Sequence, residues 1–236
     1  MPLVQCSPLR LGRFTLRERC IPVISIGREE DIAKVDPSRQ IAELRADLMG
    51  VERAIGALER LAAGGGATAI FTFRSRDAAA ASAAYSRATD AGAACVDIDA
   101  ALLGSVSSDL GGARVIVSMH MFEGDGIGNS LDEIGSIPAD IYKVAANYNT
   151  RMAFYRDLSM CAWFKREVKK PMIFAPMGQE AQDFRLMSAL VVSDLMYCSA
   201  GAPTAPGQTG CQEFGEYLSS LETAAGLRQW SDDMIE

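Results

Sequence analysis

The sequence predicts a (β/α)8 barrel with a short N-terminal hairpin closing its bottom, and three observations predict it. Eight short apolar runs recur at fairly even intervals along 236 residues, and segments of helical character separate most of them. The third observation is an absence: an open dinucleotide-binding sheet carries a glycine fingerprint after its first strand, whereas here the chain reads Gly27-Arg28-Glu29-Glu30-Asp31. Residues 1–236 therefore read as one barrel domain.

The hairpin is expected at Leu9 to Leu16, where apolar and polar residues alternate around Gly12. The eight strands are expected at Ile21 to Ile26, Ile41 to Leu44, Ala69 to Phe73, Cys95 to Ile98, Val115 to Val117, Ile141 to Val144, Met172 to Ala175 and Leu195 to Cys198. Helices are expected at Val51 to Ala63, the alanine-rich Ala78 to Ala91, Arg151 to Val168 and Glu180 to Val191. A last helix spans Gln212 to Ala225, with Phe214, Tyr217, Leu218 and Leu221 at helical spacing before a short acidic tail. Gly64-Gly65-Gly66 and Gly124 to Gly128 read as loops rather than linkers, because a periodic element promptly follows each.

A hydrophobic fraction of 49% with 22% charged residues gives a chain that buries a sizeable core. With 23 basic against 30 acidic residues the net charge is −7, which disfavours nucleic-acid binding through a broad basic surface and favours small-molecule chemistry. The six cysteines form no C-x-x-C pair, so neither a zinc site nor a disulfide framework is indicated, and a reducing cytoplasm is the expected compartment. No run reaches the ~18 apolar residues of a membrane span, and the N-terminus lacks a secretory apolar core. Its four arginines leave a weak organelle-targeting reading, against which the hairpin reading is preferred.

In a barrel the active site forms at the carboxyl ends of the strands, and residues two apart share a strand face. Glu43 with Arg45, Asp97 with Asp99, and Ser118 with His120 each close an apolar run on one face. Lys143 alone interrupts an apolar strand; the other four lysines, Lys34, Lys165, Lys169 and Lys170, stand in charged, surface-like surroundings. A desolvated lysine can attack a carbonyl as its neutral amine to form an imine. The alternative is a structural ion pair with Glu43 or Asp97. His120 ends the strand just before the lysine strand, which brings an imidazole and an amine to one mouth.

These residues resemble the type I 3-dehydroquinate dehydratases. The carriers are Glu43-Leu44-Arg45-Ala46-Asp47, Phe71-Thr72-Phe73-Arg74-Ser75, Asp97-Ile98-Asp99, Ser118-Met119-His120, Ala139-Asp140-Ile141-Tyr142-Lys143 and Ala205-Pro206-Gly207-Gln208. The resemblance implies a metal-free and cofactor-free barrel, a homodimer, acting on 3-dehydroquinate through an imine on Lys143. His120 would be the acid and base, and Asp97 would orient it. Glu43, Arg45 and Arg74 would bind ring hydroxyls, and Arg185, eight residues beyond Met177, would hold the substrate carboxylate. Thr204 and Gln208 would lie on a loop closing over the substrate, with Met177 against it.

Met119 and Met121 flank His120 where the family usually has polar residues, and Ala100 replaces a larger apolar residue. The family glutamate expected shortly after the FTFRS arginine is replaced by Arg76-Asp77-Ala78, with Asp77 the candidate substitute. The competing readings are an aldolase-like lyase or a dehydratase of a modified substrate using the same lysine, and a non-catalytic barrel binding a carboxylated ligand.

Overall fold

The computed structural model describes residues 3–17, 20–63, 67–106, 110–124, 126–178, 181–201, 203–205 and 207–224. The glycine triplet at 64–66 and the acidic tail after residue 224 lie outside them. A two-stranded antiparallel hairpin, β1 (Leu9–Leu11) and β2 (Phe14–Leu16), precedes eight parallel strands. These are β3 (Ile21–Ile26), β4 (Ile41–Arg45), β5 (Ala69–Thr72), β6 (Cys95–Asp99), β7 (Arg114–Met121), β8 (Ile141–Asn147), β9 (Met172–Met177) and β10 (Leu195–Ser199). The order β10-β3-β4-β5-β6-β7-β8-β9 is that of a barrel. Its seam between β9 and β10 is tied at the base by the Asp194 N–H to the Met172 carbonyl, 2.9 Å, rather than by a ladder.

Around the strands run α1 (Ala46–Met49), α2 (Val51–Ala63), α3 (Ala78–Asp90), α4 (Ser130–Gly135), α5 (Arg151–Val168), α6 (Ala181–Val191) and α7 (Cys211–Ala224). Local chemistry sets their ends. Thr150 caps α5 by accepting the Ala153 N–H at 3.3 Å, and Asp77 caps α3 by accepting from Ala79 and Ala80 at 3.0 and 3.1 Å. Four short elements escaped the sequence pattern: α1, α4 and the 3-10 turns Glu29–Lys34 and Ala100–Ser105. At four to six residues they are too short to show a period.

Alternation along the strands sorts residues between two cores. Outward-facing Leu44, Phe71, Val96, Val117, Val144 and Phe174 pack against the helices. Inward-facing Ile21, Ile41, Ile70, Cys95, Ile116, Ile141, Ile173 and Leu195 fill the base of the barrel, and Leu11, Phe14 and Leu16 of the hairpin join the same cluster. The hairpin therefore plugs the bottom, as its sequence implies. Gly12 permits the turn: its φ is +56°, and a side chain there would strike Thr68.

Two sequence expectations fail. Lys165 is fully buried, not on the surface: it pairs with the equally buried Asp194 at 2.8 Å and donates to the Val192 carbonyl at 2.7 Å. This pair sits outside the barrel at its base, far from the strand ends where chemistry forms. Cys198 and Cys211 form a disulfide, whereas Cys6, Cys20, Cys95 and Cys161 are buried free thiols. No spacing motif reveals the bridge, because a strand end and a helix start meet only once the loop between them folds back.

Candidate active site

The inner face of the barrel changes from apolar to polar one step above the base. Strand register places Ser25 beside Glu43, Thr72 beside Asp97, Asp99 beside Ser118, and Ser118 beside Lys143. Two hydrogen-bonded groups result.

In the first, Glu43 accepts from the Ser25 hydroxyl and from Thr72 Oγ1, the latter at 2.8 Å. Thr204 Oγ1 reaches Ser25 Oγ at 2.7 Å and Gln208 Oε1 at 3.0 Å, so the loop after β10 is seated on the Glu43 side of the mouth. Arg45 is held in a bidentate pair with Asp47, at 2.9 and 2.6 Å, and lies 3.5 Å from the Thr204 carbonyl. Glu43, Arg45, Thr204 and Gln208 thus come together.

The second group centres on Asp97, which is fully buried. Lys143 Nζ lies 2.7 Å from one carboxylate oxygen, Ser118 donates to the other at 2.6 Å, and Arg74 approaches at 3.4 Å. Burial opposes the charge on Asp97, but Lys143 and Arg74 outweigh it and hold the carboxyl well below the ordinary range. Lys143 also stands over the Tyr197 ring, 3.9 Å from its centroid. Tyr197 and Met177 line the same interior cluster.

His120 is mostly buried, on the next step of the neighbouring strand. Arg74 Nη2 lies 3.0 Å from its Nε2, and Phe122 stacks on it with centroids 5.9 Å apart. Burial lowers its pKa from the ordinary histidine value, and Arg74 and Lys143 add to the fall while Asp99 opposes it. The ring is therefore neutral at pH 7 and able to accept a proton.

Asp97, expected to orient His120, has Lys143 as its closest charged partner. The carboxylate nearest the His120 ring is Asp99, with Oδ2 at 3.7 Å from Nδ1. Asp77, the candidate substitute for the family glutamate, caps α3 through its carboxylate Oδ1. Asp99 and Ser118, noted in the sequence as strand-face partners of Asp97 and His120, join this site, and Ser25, Thr72 and Tyr197 are added to it by cross-strand register and packing, which spacing within one strand does not show.

Arg185 differs from Arg45 and Arg74. It is buried on α6, donates to the Tyr197 carbonyl at 3.1 Å, and leaves its Nε without a partner. Acids raise the pKa of Arg45 and Arg74, whereas burial alone pushes Arg185 down to about 10. A desolvated guanidinium without a carboxylate among the described residues is suited to an anionic ligand.

The family model for type I 3-dehydroquinase matches residues 19–225. A 3-dehydroquinate dehydratase of Thermoplasma volcanium is 32% identical over 219 residues, covering 88% of this chain and 93% of its own length. Another, of Thermoplasma acidophilum, is 29% identical over 232 residues, covering 94% and 99%. Among solved structures, the backbone is similar to the Geobacillus kaustophilus 3-dehydroquinate dehydratase, with TM-score 0.81 at 20% identity, covering 94% of this chain and 99% of that one. The type I 3-dehydroquinate dehydratase of Clostridium difficile, solved with covalent modified comenic acid, gives 0.80 at 18% identity, covering 93% and 99%. The sequence match spans every strand and helix of the barrel, and the chain belongs to the type I 3-dehydroquinase family of hydro-lyases.

Proposed function

We propose that the chain dehydrates 3-dehydroquinate to 3-dehydroshikimate through an imine on Lys143, with His120 as general acid and base. The observation that carries this reading is a buried lysine at the centre of the mouth, fixed by Asp97 and one strand away from a neutral imidazole. The Lys143 amine adds to the C3 carbonyl, and loss of water gives the imine, an electron sink. His120 takes the C2 proton; the resulting enamine expels the C1 hydroxyl, which leaves as water with that proton from His120. Water then hydrolyses the product imine and frees Lys143. Arg74, now against His120 Nε2, passes to a ring hydroxyl as the substrate enters, beside Glu43 and Arg45. The loop bearing Thr204 and Gln208 keeps bulk water from the imine.

Borohydride treatment with 3-dehydroquinate, followed by intact mass and peptide mapping, tests the reading. One irreversible adduct on Lys143 is expected. An adduct on another lysine, or none despite demonstrated binding, removes the imine mechanism. Because His120 acts when unprotonated and its pKa is lowered, the acid limb of kcat/KM should fall below the ordinary histidine range near pH ~6.5.

Arg185 is the proposed partner of the substrate carboxylate. Arg185→Ala should raise the substrate constant roughly 30-fold or more, the equivalent of about 2 kcal/mol for truncating one side of a buried charge pair. Lysine should rescue poorly, because a point charge does not reproduce the guanidinium fork. An unchanged substrate constant would reassign the carboxylate to Arg45 or Arg74.

A further inference from the structure

We infer that Asp99 is the positioning residue for His120, fixing the ring proton on Nδ1 and so leaving Nε2 free to accept the substrate proton. The inference rests on the reading of His120 as the acid and base. Its first support is the carboxylate's own anchoring. Asp99 Oδ1 accepts the Ala101 N–H at 3.1 Å, starting the 3-10 turn Ala100–Ser105, which turns Oδ2 toward the ring and toward Arg74 Nη1 at 3.6 Å.

The second support is the other side of the ring. Arg74 Nη2 lies 3.0 Å from Nε2 and its Nη1 lies 3.4 Å from Nδ1; a guanidinium has donors only and a neutral ring has one lone pair, so the closer contact assigns that lone pair to Nε2. The proton of the neutral ring then belongs on Nδ1, facing Asp99 at 3.7 Å. That separation is longer than a hydrogen bond, and contacts of this kind tighten when substrate fills the site.

The third support is elimination. Both oxygens of Asp97 are engaged by Ser118 and Lys143, and the Asp77 carboxylate caps α3. The charged groups that face the ring are Asp97 and Asp99 from β6, Arg74 after β5, and Lys143 from β8. Arg74 and Lys143 lower its basicity, and the two aspartates restore part of it.

The test exploits a property of the sequence: His120 is the sole histidine, so in tag-free protein every imidazole nitrogen signal belongs to it. Ring-nitrogen NMR of the wild type should show the Nδ1-protonated form at neutral pH. In Asp99→Asn the amide oxygen keeps the cap on Ala101 and turns its NH2 toward Nδ1, which inverts the preferred tautomer. The ring pKa should fall further, since one of the two groups raising it is gone. Turnover should drop roughly 10- to 100-fold with KM little changed, less than the loss in His120→Ala, while borohydride still traps the imine on Lys143. If Asp99→Asn leaves tautomer, pKa and kcat unchanged while His120→Ala is crippled, Asp99 is only a cap and the inference is overturned. If His120→Ala itself turns over normally, the acid–base reading beneath it falls as well.

Discussion

Lys143→Ala is expected to lose turnover by at least ~10⁴-fold and to give no borohydride adduct at any position, because no second group in the mouth can supply the electron sink. The substitution also strips Asp97 of its closest cation. Ser118 and Arg74 still hold that carboxylate, so the fold should persist with a loss of about 1–3 kcal/mol in urea unfolding. The pH dependence of stability separates the two effects. Asp97 titrates lower in the folded chain than in the unfolded one, so its contribution is complete above the ordinary carboxylate range near pH ~4 and drains away as pH falls below it. In Lys143→Ala this acid-side loss should shrink. A variant that unfolds outright would make Lys143 a structural residue and not a reactive one.

The largest effect on stability is expected at the opposite end of the barrel. Asp194→Ala should cost about 3–5 kcal/mol, measured by urea unfolding, because it leaves the Lys165 ammonium buried without a counter-charge. It also orphans the Met172 N–H, which donates to Asp194 Oδ2 at 2.9 Å. Lys165→Met combined with Asp194→Asn removes both charges, keeps an acceptor for that N–H, and should recover most of the loss. A double variant no better than the single one would mean that the ion pair itself, and not the avoidance of a lone buried charge, stabilises the base. Turnover per folded molecule should change little in either protein.

How much of this could be read beforehand follows from what repeats and what does not. All eight barrel strands declare themselves as apolar runs, since each is buried on one or both faces, and the hairpin declares itself by alternation around Gly12, since it buries one face. Lys143 stands out for the same reason, as the one cation that breaks such a run. Asp97 and Asp99 share a face, and only the positions of Lys143 and His120 on later strands decide which carboxylate serves which. Lys165 was masked by its neighbours Arg166 and Glu167. Helical spacing from Phe154, Leu158 and Cys161 puts it on the buried face, but a charge beside charges reads as solvent-facing. Cys198 and Cys211 lie 13 residues apart, and the Cα separation of 4.9 Å that joins them arises only from tertiary folding.

That bridge gives the mouth a covalent topology that hydrogen bonds alone would not. It closes a ring from the last strand to the last helix, and the ring contains both loop residues that touch the Glu43 side, Thr204 and Gln208. A chain cut anywhere within that ring stays one molecule, with α7 still tethered to β10. The C-terminal helix is therefore covalently released from the barrel only when the backbone and the sulfur bond have both been severed.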